Sequence, residues 1–320
     1  MKKKEQKMKP WHFVYVADIQ PGSPKSYRFN PRHRENWETA KKQIMAEEPE
    51  LMLIGGDLTR DGFVHKWELE EMKAELDGMN IPYHVIPGNM DAGNKHTKVQ
   101  GCFYPDRDDL EICITPESLA QFESVFGPSN WSIVHKNLRV SGFCDMLVNS
   151  GLPEEKQLWK WLEEQKDQPR AEHHIWMMHY ALFVDRPDEG NFDIKNPDEY
   201  YEWYFSISEP AKSRMMEIFK ATDAERVLTG HIHCRKDHFA EGIHFDLAPG
   251  VALRQWGDKW PDGDDTLGFY RFDVDGHEMK KTFIPLEKES TTPGAYGKGG
   301  HIPENQRNYS LAWEEGGGSE

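Results

Sequence analysis

Residues 81–93 read IPYHVIPGNMDAG: an aromatic and β-branched run, then a Pro-Gly-Asn turn, with a methionine set between Asn89 and Asp91. The run has the length and composition of a buried strand, and the turn ends it. Two similar runs precede it. Residues 13–17 (FVYVA) stop at Asp18, and residues 51–54 (LMLI) stop at Gly55-Gly56-Asp57. Residues 34–47 and 65–76, lying between the runs, read as helices. Strand, helix, strand, helix, strand predicts βαβ units with helices packed on a sheet.

Farther along, residues 174–178 (HIWMM) stop at His179, and residues 226–228 (RVL) stop at Gly230-His231-Ile232-His233. In open α/β sheets the loops beyond the carboxyl ends of the strands converge on one crevice. Asp18 with Gln20, Asp57, Asn89 with Asp91, His179, and His231 with His233 therefore fall in one place. If the His-x-His segment is extended, its period of two sends both rings to the same side. Carboxylates able to bridge, an amide oxygen and neutral imidazoles make the donor set of a two-metal site.

Composition narrows the class. The chain has 320 residues, 37% hydrophobic, with 39 Lys and Arg against 55 Asp and Glu, a net charge of −16. This length suits one domain, assigned to residues 10–286, followed by a polar, Gly-rich tail over residues 287–320. The acidic excess argues against a sequence-independent grip on nucleic acid and favours a small-molecule substrate. The apolar run near the start is too short for a signal-peptide core, and no stretch is long enough to span a membrane, so a cytoplasmic protein is expected. Cys102, Cys113, Cys144 and Cys234 show no CxxC pairing and read as reduced thiols. Nothing in the sequence sets the oligomeric state.

In this order, VAD18IQ20, GGD57LTRDG, PGN89MD91, MMH179Y and TGH231IH233 resemble the calcineurin-like metallophosphoesterase family, whose signature is D-x-H, G-D, G-N-H-[DE], H and G-H-x-H. The stretch after Gly55 is also similar to the cyclic nucleotide phosphodiesterase branch. The resemblance implies a four-layer α/β/β/α sandwich with two mixed β-sheets, and two divalent or trivalent metal ions bridged by Asp57. One ion would take Asp18, Gln20, Asp57 and His233, and the other Asp57, Asn89, His179 and His231. It further implies hydrolysis of a small phosphoester, a diester by preference, through a metal-bound hydroxide, with Asp57, Asp91 and His179 in catalytic positions.

Two positions depart from the pattern. Gln20 stands where the family has histidine, and an oxygen donor there tilts the metals toward iron or manganese rather than zinc. Met90 stands where the family has a histidine that protonates the leaving group, and a thioether has no proton to give. Three readings follow. The substrate carries a good leaving group; or His96, His65 or Tyr180 supplies the proton; or the site performs another chemistry, such as iron-dependent redox or lyase reactions. A non-catalytic metal-binding or sensing protein is the rival class.

Around the metals, Arg60, Met90 and His96 are candidates to touch substrate, with Lys95 beside them. Asp91, deprived of its histidine partner, either retains a catalytic place or caps the turn. The acidic, aromatic residues 183–210 read as a long loop over the centre, with Tyr200, Tyr201, Trp203 and Phe205 available to stack on substrate or to cover the core. Its acidity disfavours polyphosphates. The alternation around Asp275-Gly276 predicts a closing hairpin.

Overall fold

The computed structural model describes residues 9–26, 28–96, 113–254 and 259–292. Cys102, the basic opening residues 1–8 and the tail beyond Thr292 lie outside them. Strands β1 (Trp11–Val16), β2 (Leu51–Ile54) and β3 (Tyr83–Val85) pair in parallel. β10 (Gly268–Asp275) and β11 (Glu278–Pro285) form the hairpin expected at Asp275-Gly276, and β10 joins β1 antiparallel. The first sheet runs β11-β10-β1-β2-β3. The second runs β4-β5-β6-β7-β9-β8, from β4 (Trp131–His135), β5 (Leu138–Gly142), β6 (His173–Met177), β7 (Arg226–Thr229), β8 (Lys236–Ala240) and β9 (Ile243–Leu247). Both sheets are mixed, since β4 and β8 pair antiparallel with their neighbours at the two edges of the second.

The period of two along β1 explains the layering. Phe13 and Tyr15 face the second sheet, in an apolar layer with Leu53, Tyr270, Val140, Ile175 and Leu228. Val14 and Val16 face the other way, onto helices α1 (Pro31–Glu47) and α2 (Lys66–Gly78). Buried on both faces, these strands read as continuous apolar runs. Helix α1 begins where Asn30 accepts the Arg32 N–H at 3.0 Å ahead of Pro31, and it buries Trp37, Ala40 and Ile44 on one stripe. Short α3 (Asn89–Ala92) follows β3, and α4 (Pro116–Phe126) adds Phe122 to this core. Helices α5 (Pro153–Glu164) and α7 (Ala211–Ala221) cover the outer face of the second sheet through Leu158, Leu162, Met215 and Phe219. The result is the expected α/β/β/α sandwich.

One element corrects the sequence reading. Residues 183–210 are not loop throughout: α6 (Pro197–Phe205) lies within them, capped by Asn196, whose side chain accepts the Asp198 N–H at 3.1 Å. Residues 287–292, assigned to the tail, lie along α1, where Glu287 N–H donates to Gln43 and Ser290 N–H to Asn36. Among the described residues no helix is long and apolar enough to cross a membrane.

Candidate metal centre

The carboxyl ends of β1, β2, β3, β6 and β7 bring Asp18, Asp57, Asn89, His179, His231 and His233 together between the two sheets. Two clusters share one residue: Asp57 with His179 and His231, and Asp57 with Asp18 and His233, the ligand atoms within each lying within 4.8 Å of one another. The backbone is forced to place them. Asp18, Gln20, Asp57, His231 and His233 have φ of 56°, 31°, 52°, 69° and 50°, a left-handed region costly for residues with a side chain. His-x-His is therefore not the extended segment whose period of two would send both rings to the same side. β7 ends at Thr229, and the chain bends with Ile232 N–H donating to Gly230 O at 2.8 Å.

Several bonds fix this strained geometry. Asp18 N–H donates to Gly56 O and Gln20 N–H to Asp57 O, both at 3.1 Å, and the Asp18 carboxylate accepts the His231 N–H at 3.1 Å. Close approach requires glycine at two points. A Cβ on Gly88 would stand 2.2 Å from Asp57 Oδ1, and one on Gly56, at φ 92°, would stand 2.6 Å from His179 Nδ1.

Main-chain carbonyls fix all three imidazole tautomers, because a carbonyl can only accept. His179 Nδ1–H donates to Gly55 O (2.9 Å), His233 Nδ1–H to Leu253 O (2.9 Å) and His231 Nε2–H to Tyr204 O (3.2 Å). That leaves Nε2 of His179 and His233, and Nδ1 of His231, with lone pairs turned inward. His179 Nε2 lies 3.1 Å from Asn89 Oδ1 and 3.3 Å from Asp57 Oδ1, and His233 Nε2 lies 3.2 Å from Asp18 Oδ1. A lone pair facing buried oxygens needs a positive charge between them, which two cations would supply. The same demand shows in the imidazoles. Burial opposes charging His179, yet the Asp57 carboxylate overcomes it and raises the group to about 10. Burial likewise opposes charging His233, and Asp18 raises it. Asp57, despite burial, is held below the usual carboxylate range by His179. The donor set fits two metal ions.

Gln20 sits otherwise than expected for an oxygen ligand. Its Oε1 accepts from Arg60 Nη1 at 2.9 Å, while its Nε2 donates to Asp57 Oδ2 at 2.5 Å. A guanidinium is donor-only, so the amide oxygen points at Arg60 and the N–H at the shared carboxylate. Arg60, expected to reach substrate, is instead only 1% exposed behind Gln20. Its backbone N–H donates to Glu68, whose carboxyl burial pushes up to about 8.

Asp91 takes the capping place, one of its two expected roles. Its oxygens accept from the backbone N–H of Leu58, Thr59 and Gly88 and from the Thr59 hydroxyl, at 2.7–3.0 Å. It ties the Asp57 loop to the Asn89 turn. Burial, and the Asp57 charge beside it, raise it to about 7.

Met90 is buried, its N–H donating to Asp57 Oδ1 at 2.8 Å. Its sulfur accepts from Asn89 Nδ2 at 3.4 Å. The thioether thereby turns the Asn89 amide so that Oδ1 faces His179.

Of the candidate proton donors, His96 contacts Ile114 O through Nε2, His65 is fully buried against Trp67, and burial raises the Tyr180 hydroxyl far above its ordinary range. Asp145 is a residue sequence reasoning missed. Its two oxygens accept the N–H groups of His179 and Tyr180, both at 2.8 Å, which sets the His179 loop. It follows β5 as Asp57 follows β2, so the strand-end rule reaches it only once β5 is recognised. Beside the centre, Lys95, His96, Trp203, Asn149 and Ser208 line a cavity of about 180 Å³.

Comparison with known proteins bears on this centre. The family model for calcineurin-like phosphoesterases matches residues 12–235. Human serine/threonine-protein phosphatase CPPED1 is 23% identical over 251 residues, spanning 70% of this chain and 69% of that protein. Purple acid phosphatase PPD1 from yellow lupin superposes with a TM-score of 0.56 at 13% identity over 88% of this chain, which spans about half (52%) of the lupin chain. A dimetal phosphatase from Danio rerio gives 0.50 at 12% identity, with 87% and 99% of the two chains covered. At these identities the two structures share the fold.

Proposed function

The chain belongs to the calcineurin-like phosphoesterase family, and from that premise we propose that it hydrolyses a small phosphodiester at a dinuclear metal centre. The observation that carries this reading is the pair of ligand clusters sharing Asp57 at the strand ends. Asp18, Asp57 and His233 would hold one ion, and Asp57, Asn89, His179 and His231 the other. When bound, such ions activate water and stabilise charge on phosphoryl oxygens. The first set, two carboxylates and one imidazole, favours iron or manganese over zinc.

The chain's own residues shape the substrate class. Met90 gives no proton, and the engaged His96, buried His65 and raised Tyr180 offer no ready substitute. Substrates with good leaving groups suit this site. The net charge of −16 disfavours an additional phosphate charge. With the same aryl leaving group, kcat/KM for a diester should exceed that for the dianionic monoester by on the order of 10-fold. A monoester hydrolysed faster would overturn the diester assignment.

A further inference from the structure

Lys95 is buried, and two kinds of contact surround its ammonium. Nζ donates to the carbonyls of Trp203 and Ser206. It lies 4.3 Å from the centroid of the Trp203 ring and 4.9 Å from that of Tyr180. Burial works against the charged form and lowers this lysine to about 7, so these acceptors and ring faces are what a buried ammonium requires. Trp203 lies in the last turn of α6 and Ser206 caps it, its N–H donating to Trp203 O at 3.4 Å, so both carbonyls sit at the negative end of the helix dipole.

A third carbonyl of the same turn, that of Tyr204, accepts from His231 Nε2–H. The end of α6 thus holds a lysine and a candidate metal ligand side by side. Tyr180 fills the space between them, its ring centroid 4.1 Å from that of His231. Tyr204 and Phe205 pack on the same imidazole at 4.9 and 5.4 Å. Behind this turn, Ile207 N–H donates to Ala181 O at 3.1 Å.

We propose that Lys95 is a positioning residue for the metal centre: it fastens the end of α6 so that the Tyr204 carbonyl holds His231 with Nδ1 free for the second ion. The inference rests on the two-metal reading above. Without the ammonium, the carbonyls of Trp203 and Ser206, on either side of Tyr204, lose their shared anchor. The Tyr204 carbonyl then no longer selects the Nε2–H tautomer. A hydrogen bond of this kind between a ligand and its outer partner typically governs metal affinity by about 10- to 100-fold.

The test is cobalt titration of metal-free wild type, Lys95→Met and Lys95→Arg, followed by calorimetry and by the visible absorption of the bound ion. In Lys95→Met one of the two ions should bind about 10- to 100-fold more weakly, with the other unchanged and Lys95→Arg largely restoring the loss. Two ions bound with wild-type affinity in Lys95→Met would overturn the proposal. A rise in KM alongside them would make Lys95 a substrate contact. Equal weakening of both ions would also overturn it, since the effect would not be particular to His231. A wild type that binds fewer than two ions contradicts the dinuclear reading instead. If Lys95→Met does not fold, imidazole nitrogen NMR of metal-free wild type decides: His231 should carry its single proton on Nε2, with Nδ1 bare. His231 protonated on Nδ1 would overturn the proposal.

Discussion

Asp57→Asn is expected to lower kcat on an aryl phosphodiester by about 10³-fold or more, roughly 4 kcal/mol of barrier, and to cut bound metal below two ions per chain. Asp57 alone belongs to both ligand clusters. Its oxygens also accept from donors on opposite sides, Met90 N–H at Oδ1 and Gln20 Nε2 at Oδ2. Asparagine keeps the shape but has one oxygen. Its NH2 group must then face either the Met90 N–H or the Gln20 amide, opposing a donor with a donor in a buried site. The variant loses negative charge where the histidines and cations need it, and hydrogen-bond complementarity as well. Metal analysis with steady-state kinetics checks this. Near-wild-type turnover with two ions bound would show that the shared carboxylate is not the centre of the site.

Met90→His is expected to act in the opposite direction and only on poor leaving groups. Hydrolysis of alkyl diesters should rise by about 10- to 100-fold, while aryl diesters change little. The gain is set below the full range of general acid catalysis, about 10²–10⁴, because the usual orienting partner is engaged elsewhere. Asp91 already accepts from three backbone N–H groups and the Thr59 hydroxyl. An imidazole at position 90 can still accept from Asn89 Nδ2 through one nitrogen, as the sulfur does at 3.4 Å, and donate through the other. Rates on paired alkyl and aryl diesters, each with metal content measured, check the expectation. Unchanged alkyl rates would mean that proton donation at position 90 does not limit this enzyme.

The sequence-derived strands show where legibility came from. β2 falls on the residues read from sequence, and β1, β3, β6 and β7 shift by one or two, because short apolar runs stopped by Asp, Gly or His have one plausible extent. β5 was not legible. Arg139 and Ser141 interrupt its apolar pattern, yet both are buried, with Arg139 donating to Gln165 Oε1 at 2.6 Å and Ser141 meeting His174 Nε2 at 3.0 Å. Missing β5 meant missing Asp145 at its end. α6 carried a signal, Asn196-Pro197 with acidic residues in the first turn, but the acidic and aromatic surroundings read as loop.

The ligand types were legible for the same strand-end reason, while the partners that orient them were not. Gln20 lies 40 positions from Arg60, and His231 lies 27 from Tyr204. No local pattern announces that one amide faces a guanidinium or that a helix carbonyl selects a tautomer. Asp91 was read through its neighbour at position 90, but its actual partners, Leu58 and Thr59, are brought to it by the pairing of β2 with β3.

The most direct measurement is the rate of aryl phosphodiester hydrolysis by metal-free protein as manganese or iron(II) is added in measured equivalents. Turnover should be negligible without metal, climb until two ions are bound per chain, and then level. No turnover with two ions verified in place, or full turnover with one, would contradict a dinuclear phosphoesterase centred on Asp57.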